Sequence, residues 1–473
     1  MLRPVLAAAS FASMVGASLP SPEPTALAST RAAAGAGLPG DVESRTLPNG
    51  LVVTAWSEED ANEPWMALAL GGGALREGAG EAGLALLAAA ALAPGGIAAT
   101  ATALLTSDGG AQAKLAHLLL PANGTSREPA AQIAALAQMI ALPPLEAAQL
   151  ASTVDALQLQ LAGSVPTAFH DALFRSAFAQ VALHRAPRID FAGSFKAATT
   201  ARVDGWLRGN AARDLVRVLA VGSGKANVLR GELEKGLGAL RLPHAPPPAP
   251  PPPALGDRVV VGPAELAALR EPGRFDAGWD LPQTHVFQWW VVDCKETKDH
   301  VAVALFAELW NDLADDAVDF ATRLENPDQP AYRAETLALS PTAHLLLLHG
   351  HVPAGRDAEL ALATLGEMVD EVIAPRKNGL SLADRFNEHV DKVTRLPQPT
   401  VDERTFAGGA RAFGWSVAHV PPLRLFEREL EAGCEAKPLF AAGRQLRPAA
   451  LEALAKKQLR SERSGRARIV KSP

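Results

Sequence analysis

Several residue types and patterns are scarce in this 473-residue chain, and each scarcity excludes a class of structure. Two cysteines, Cys294 and Cys434, are too few for a disulfide framework or a four-thiolate metal site. Aromatic residues make up 5% of the chain, with Tyr332 the one tyrosine, so Leu, Ala and Val must fill the cores. The body of the chain has no run of about 18 apolar residues, and the sequence therefore predicts no transmembrane helix.

Motifs of common hydrolases and nucleotide-binding proteins are also missing. The chain contains no H-x-x-E-H, H-E-x-x-H or G-x-S-x-G sequence. The stretch 222–225 ends like a phosphate-binding loop, but Leu219 and Ala226 stand where that motif needs Gly and Ser or Thr. The formal charge of -6 argues against a nucleic-acid surface spread over the whole protein.

Residues 1–43 have the composition of a targeting or disordered segment. They carry Arg3, several Ser and Ala, and no acidic residue before Glu23. An acid-poor, Ser-rich leader is typical of an organellar transit peptide. The apolar run 5–19, with small residues at 15–17, is instead typical of a secretory signal.

The rest of the chain predicts an α+β fold with two related domains, 44–242 and 257–473. Residues 44–56 predict a strand, a turn at Asn49-Gly50 and a second strand, because both turn residues tolerate positive φ. A buried strand at 65–70, a Gly-rich loop and an apolar helix at 83–92 follow. A proline-rich linker at 243–256 favours polyproline II and separates the domains. Because a similar element order returns after it, we expect each domain to be an antiparallel-rich sheet packed with helices.

Periodicity predicts the remaining elements. Strands are expected at 215–221, 280–293, 334–339 and 343–351, with two more within 101–120. Helices are expected at 128–142, 145–161, 167–183, 203–210, 228–240, 300–313, 357–373, 380–393, 401–412 and 447–459.

Three groups of side chains are candidates for a site or a contact. His344, His349 and His351 lie on one predicted strand, where a metal site competes with ordinary strand-end histidines. Trp289 and Trp290 are neighbours on a strand, so one indole should lie on each face. We expect one in the core and the other against a neighbouring domain or a partner chain. The cationic residues of 456–471 predict a solvated tail, with binding to an anionic lipid or a partner as the alternative.

One set of motifs resembles the pitrilysin/insulinase-like (M16) metallopeptidase family. These are Leu47-Pro48-Asn49-Gly50-Leu51, the Gly-rich loop, and Gly83-Leu84-Ala85 opening a helix, and the similarity of element order covers about 44–473. Active members bind zinc through an H-x-x-E-H helix and a later glutamate. The resemblance assigns those four positions to Leu86, Ala89 and Ala90 on the first helix and to a residue near Asp155. Leu and Ala supply no ligand, so the resemblance implies no catalytic residues, no metal and no cofactor.

The resemblance therefore implies a non-catalytic subunit. The missing ligands and the length are similar to the core subunits of the mitochondrial cytochrome bc1 complex, on the matrix side of the inner membrane. The alternative is the silent partner of a zinc processing peptidase, in a mitochondrion or a bacterial periplasm. Either role implies a second M16-family subunit as partner and no binding of nucleic acid. The first role also implies partners among the respiratory-complex subunits. Tyr332, Trp289 and Trp290 are the candidates for chamber or partner contacts.

Overall fold

A computed structural model describes most of the chain after residue 40. The described residues are 41–58, 64–92, 112–122, 128–162, 167–211, 216–242, 259–281, 283–317, 331–352, 355–373, 382, 385–386, 420–432 and 436–472. They belong to one compact unit. The predicted linker, Cys434, the helix at 401–412 and nearly all of the helix at 380–393 lie outside these residues, as does the predicted targeting segment before residue 41.

Twelve strands are present in the described residues, and they form two six-stranded sheets. The strands are β1 (Asp41–Thr46), β2 (Val52–Ser57), β3 (Trp65–Gly71), β4 (Gln112–Ala113), β5 (His117–Pro121), β6 (Arg188–Ile189), β7 (Val216–Gly222), β8 (Gly273–Trp279), β9 (Thr284–Asp293), β10 (Ala331–Ser340), β11 (Ala343–Val352) and β12 (Gly465–Lys471). The N-sheet has the order β1-β2-β7-β3-β5-β4, and the C-sheet has the order β10-β11-β9-β12-β8-β6.

The two sheets share a topology over five strands. In the N-sheet, β3 pairs antiparallel with β5 and β7, and β7 pairs parallel with β2. In the C-sheet, β9 pairs antiparallel with β11 and β12, and β12 pairs parallel with β8. The outer pairs β4–β5 and β10–β11 are both antiparallel. This correspondence confirms the α+β prediction of two similar sheets with helices packed on them.

Thirteen helices accompany the sheets in the described part of the chain. They are α1 (Leu84–Leu92), α2 (Pro129–Ala141), α3 (Ala147–Ala162), α4 (Thr167–His184), α5 (Phe191–Lys196), α6 (Thr200–Trp206), α7 (Ala226–Leu237), α8 (Pro263–Arg270), α9 (Thr297–Ala317), α10 (Ala358–Ile373), α11 (Val420–Ala432), α12 (Ala436–Gln445) and α13 (Pro448–Gln458). A π-helical turn, Leu207–Ala211, follows α6, and 3-10 turns occur at Ala74–Arg76 and Ser461–Arg463.

Each half of the chain contributes an element to the other half; here the N-half is the described chain up to residue 242 and the C-half begins at 259. Strand β6, from the N-half, is the outermost strand of the C-sheet. Helix α4 of the N-half contacts β8 and β12, while α11 of the C-half contacts both β10 and β7. One hydrophobic core therefore runs through both halves, from α1 and the N-sheet across α4 to the C-sheet.

The cationic C-terminal segment is where the sequence prediction was wrong. Residues Gly465–Lys471 are not a tail but strand β12, which lies between β9 and β8. Gly465, Ala467 and Ile469 are buried on one face, while the arginines alternate with them. Arg468 pairs with Asp276 and Glu359 on neighbouring elements. A period of two with small and apolar residues on one face explains the strand.

Some boundaries and some elements also differ from the prediction. Strand β1 begins at Asp41, three residues before the predicted start of order at 44, because it pairs with β2 along its whole length. Six further elements were not predicted, namely strands β6 and β8 and helices α5, α8, α11 and α12. In β8 most side chains are at least partly exposed, so it has no apolar run that would indicate a strand.

Candidate functional site

Helix α1 occupies the position that the motif resemblance gives to a metal-binding helix. It packs against α3, α4 and the strands β4 and β5. All nine residues of α1 are buried, and Leu86, Ala89 and Ala90 are 0%, 0% and 1% exposed. These three side chains present no nitrogen, oxygen or sulfur atom. The helix therefore offers packing surface where the resemblance places metal ligands.

A buried carboxylate, Glu77, binds the N-terminus of α1. Its Oε1 accepts hydrogen bonds from the Ala85 N–H at 2.9 Å and the Ser176 hydroxyl at 3.1 Å. Its Oε2 accepts from the Gly83 N–H at 3.2 Å. Burial raises the pKa of Glu77 to about 8, although these three donors favour the ionised form. Glu77 thus satisfies helix N–H groups that lack partners within the helix.

Gly83 is required by two features of the chain just before α1. Its φ is +82°, a conformation that L-residues with a Cβ rarely adopt. A Cβ at this position would also lie 2.7 Å from the ring of Phe195 on α5. The Gly that opens the family-like motif therefore has a structural reason to be Gly.

Three polar side chains on α4 hold the loop before α1 in place. Gln180 donates to the Gly78 carbonyl at 2.9 Å and accepts from the Gly80 N–H at 3.1 Å. The His184 Nε2 lies 2.7 Å from the Glu77 carbonyl oxygen. Ser176, Gln180 and His184 are spaced four residues apart, so they share one helix face. We call this set, with Glu77, the loop clamp.

Helix α3 carries the position that the resemblance assigns to a later ligand. Gln149 donates to the Ala91 carbonyl of α1 at 2.8 Å, and Leu150, Thr153 and Leu157 are buried. Asp155 is exposed. The structure therefore brings Leu86, Ala89 and Ala90 together on α1 and places the Asp155 side chain on the exposed face of α3.

The two tryptophans lie on opposite faces of β9, as the strand period predicts. Trp289 donates to the Leu269 carbonyl at 3.0 Å, and Trp290 donates to the Arg460 carbonyl at 2.9 Å. Both are fully buried within this chain. Trp289 packs against Phe178 of α4, in the other half of the chain, with ring centroids 5.3 Å apart. Tyr332 is partly buried on β10 and packs against the second hydrophobic core, which lies on the other side of the C-sheet.

The histidines of β11 lie on both faces of the C-sheet. His344 and His300 share a hydrogen bond between their Nδ1 atoms at 3.0 Å, and burial lowers the pKa of both. His349 stacks on Phe174 of α4 with ring centroids 4.0 Å apart, and burial lowers its pKa to about 3. Within the described residues no group of three or more His, Cys, Asp or Glu side chains is arranged to hold a metal ion.

An ion pair beside this stack joins the two halves. Arg175 of α4 binds Glu335 of β10 through two hydrogen bonds, Nε to Oε2 at 3.1 Å and Nη2 to Oε1 at 2.7 Å. Burial opposes ionisation of Glu335, but the charge and hydrogen bonds of Arg175 outweigh it and hold the pKa of Glu335 at about 2. Sequence reasoning missed both residues and the loop clamp.

Comparison with known proteins adds to this geometry. No protein-family model matches the sequence, and no curated protein matches it at a significant level. A protease from Helicobacter pylori has a similar structure, with a TM-score of 0.56 and 13% identity over 92% of this chain and 100% of the protease. An inactive domain of peptidase M16 from Pseudomonas fluorescens is also similar, with a TM-score of 0.51 and 14% identity. The match covers 92% of this chain and 98% of that domain. The chain has the M16 peptidase fold.

A third M16-like neighbour belongs to a multi-subunit assembly. It is a chain of complex III2 from Candida albicans, solved with Inz-5 bound, with a TM-score of 0.53 and 11% identity over 91% of this chain and 96% of the other. At such identities the likeness shows the M16 fold alone. None of the described helices is both long and apolar enough to cross a membrane.

Proposed function

We propose that this M16-fold chain is a non-catalytic subunit with a structural role in an assembly that contains a second M16-fold protein. The observation that carries the proposal is the filling of the α1 site by Leu86, Ala89 and Ala90, all of them buried. A zinc peptidase needs nitrogen, oxygen or sulfur ligands and an open position for water. Helix α1 has neither.

The surroundings of α1 support the same proposal. Glu77 is the buried carboxylate nearest to the start of α1, and its oxygens already accept three hydrogen bonds. The loop clamp holds the loop before α1 against α4. This region is closely packed although the positions assigned to metal ligands are apolar. Such an arrangement suits a subunit with a structural role.

Within this role we propose a core subunit of a mitochondrial cytochrome bc1 complex, on the matrix side of the inner membrane. Its support is the acid-poor N-terminal segment, the length, and the similarity over 91% of the chain to a chain of complex III2. The other candidate is the silent partner of a zinc processing peptidase, mitochondrial or periplasmic. The similarity to an inactive M16 domain favours that candidate.

Co-purification of the tagged chain from its own cells, followed by mass spectrometry, tests these roles. Recovery with respiratory-complex subunits is the expected result. Recovery with a zinc-bearing M16 protein and no respiratory subunit would replace the first role with the second.

Metal content and peptide cleavage test the non-catalytic assignment separately. The purified chain should hold far less than one zinc per molecule by atomic emission, and a peptide mixture incubated with it should remain intact. An active M16 peptidase, prepared in the same buffers, is the control. Stoichiometric zinc together with chelator-sensitive cleavage would overturn the assignment.

A further inference from the structure

Four strands form the outer edges of the two sheets, and three of these edges are short or covered. Strands β4 and β6 are two residues long. On β10, the Asn311 side chain of α9 accepts from the Ala334 N–H at 2.7 Å and donates to the Ala334 carbonyl at 3.2 Å, as a neighbouring strand would. Farther along β10, the Val260 N–H donates to the Leu339 carbonyl at 2.7 Å. Such protection is common because the open backbone groups of an edge strand bind other strands.

Strand β1 is the fourth edge, and it keeps open backbone groups. It pairs with β2 in an unbroken antiparallel register. The Leu47 N–H donates to the Leu51 carbonyl at 2.8 Å, so the backbone groups of Leu47 face β2. Because hydrogen-bonded residues alternate along an antiparallel pair, the N–H and C=O groups of Val42, Ser44 and Thr46 point away from β2. No described residue binds these groups, and this edge of the N-sheet can therefore accept another strand.

The side chains of β1 lack the usual protection of an edge strand. The strand contains no proline, no lysine and no bulge. Its central charged residues, Glu43 and Arg45, pair with α7, Glu43 with Arg230 at 2.6 Å and Arg45 with Glu234 at 3.1 Å. Glu43 and Arg45 nevertheless remain 37% and 51% exposed, so each can contact a further charged group.

The sequence of β1 is complementary to itself in an antiparallel arrangement. When two copies of β1 meet around a twofold axis at Ser44, Val42 of each copy lies opposite Thr46 of the other. Every open N–H of these three residues then lies opposite an open carbonyl. In the same register Glu43 of each copy lies directly opposite Arg45 of the other, and opposite charges at such positions stabilise a pair of strands.

Charge also selects this register over its neighbours. A shift by two residues in one direction puts Glu43 opposite Glu43, and a shift in the other direction puts Arg45 opposite Arg45. Like charges directly opposite each other destabilise a strand pair. The register centred on Ser44 is therefore the one in which both the backbone groups and the charges match.

We propose that β1 is a docking edge for a second copy of this chain, which adds its own β1 antiparallel around a twofold axis at Ser44. The N-sheets of the two copies then form one continuous sheet. A contact of this kind uses the same residues on both sides and closes at a dimer. The ion pairs with Arg230 and Glu234 extend it into a row of alternating charges across the contact. The proposal goes beyond the M16-fold partner proposed above and does not depend on it.

Sedimentation velocity of the full-length chain over a concentration series tests the docking edge. The wild type should pass from monomer to dimer between about 1 and 100 μM, as suits a small contact. Ser44→Pro removes an outward N–H that β2 does not use, and it should raise the dissociation constant of the dimer at least about tenfold. Ser44→Ala keeps that N–H and is the matched control, so its dimer should dissociate like that of the wild type.

Two charge variants test the register of the contact. Glu43→Lys puts cations opposite each other, and Arg45→Glu puts carboxylates opposite each other, so each variant alone should dimerise at least about tenfold more weakly. An equimolar mixture of the two should form a dimer with nearly the wild-type affinity. In that mixed dimer every cation of the first variant faces a carboxylate of the second.

Three results would overturn the proposal. One is a wild-type chain that remains monomeric at the highest concentration, and another is a dimer that Ser44→Pro leaves unchanged. The third is a mixture of the charge variants that pairs no better than each variant alone. Circular dichroism and urea unfolding first establish that each variant is folded, and the mixing experiment decides the question if Ser44→Pro is not.

Discussion

Glu77 and Gly83 show how single residues hold the start of α1 in position. The carboxylate of Glu77 replaces the missing hydrogen-bond acceptors of the first turn, and Gly83 lets the chain turn into the helix against Phe195. Neither residue depends on a metal. The local conformation at the start of α1 therefore needs no metal-ligating side chain on the helix.

Substitution of Gly83 by Ala should destabilise the protein by about 2–4 kcal/mol, through positive φ and through contact with Phe195. Urea unfolding measures the change. Gly80→Ala separates the two causes, because Gly80 has φ +73° but no atom within 4 Å of its Cβ position, and should cost about 1–2 kcal/mol.

A third variant completes the series. Gly205 lies inside α6 with nothing near its Cβ position, so Gly205→Ala should stabilise by about 0.5–1 kcal/mol. Equal losses in Gly83→Ala and Gly80→Ala would mean that the ring of Phe195 moves aside at no cost.

Elements with local signals were the ones that the sequence predicted. Asn49-Gly50 predicted the β1–β2 hairpin, and Gly50 has φ +87°. Helices α2 and α3 followed from their periodicity, and the proline pair between them marks the break. These features depend on neighbours within about ten residues, which is why one sequence suffices to find them.

Contacts between distant elements could not be predicted in this way. Ser176 binds Glu77 across 99 positions of sequence, and Arg175 binds Glu335 across 160. The motif resemblance located Leu86, Ala89 and Ala90, but no pattern in the sequence indicates the loop clamp. Strand β12 was not predicted because closely spaced arginines are typical of a solvated segment, and here they form the more exposed face of a strand.

The Arg175–Glu335 pair should contribute strongly to the connection between α4 and β10. The two side chains are 9% and 17% exposed, so removing one partner leaves a poorly solvated charge. We expect Arg175→Met to lower the free energy of unfolding by about 3–5 kcal/mol. The double variant with Glu335→Gln should lose less than the sum of the two single changes.

An exposed pair of the same chemistry is the control for this double-mutant cycle. Arg45 and Glu234 are 51% and 34% exposed, and Arg45→Met should cost about 0–1 kcal/mol. Strict additivity at Arg175 and Glu335 would show that the two residues do not interact in solution.

At the scale of the whole molecule, buried titratable groups lower the free energy of unfolding both at acidic pH and above neutral pH. His349 has a pKa of about 3 in the fold and an ordinary value of 6.5, so unfolding takes up protons between these values and stability falls as pH drops below 6.5. Glu77 has a pKa of about 8 against an ordinary 4.5, so stability also falls as pH rises from 4.5 to 8.

The free energy of unfolding should therefore be highest between about pH 4.5 and 6.5, where the opposing effects overlap. Each group that titrates alone contributes a slope of about 1.4 kcal/mol per pH unit outside that range. Urea unfolding at a series of pH values measures the profile. His349→Gln should make the acid side less steep and leave the alkaline side unchanged, while His344 and Glu335 still contribute to the loss at low pH. An acid side of unaltered slope would show that His349 does not contribute.

The position of β12 has a consequence for how the protein is made. A ribosome synthesises β8 and β9 almost two hundred residues before it reaches 465–471, yet these two strands meet only through β12. Until that last strand emerges, the C-sheet has a gap and α4 lacks part of the surface on which it rests. The C-sheet can therefore be completed only after residue 471 has been translated.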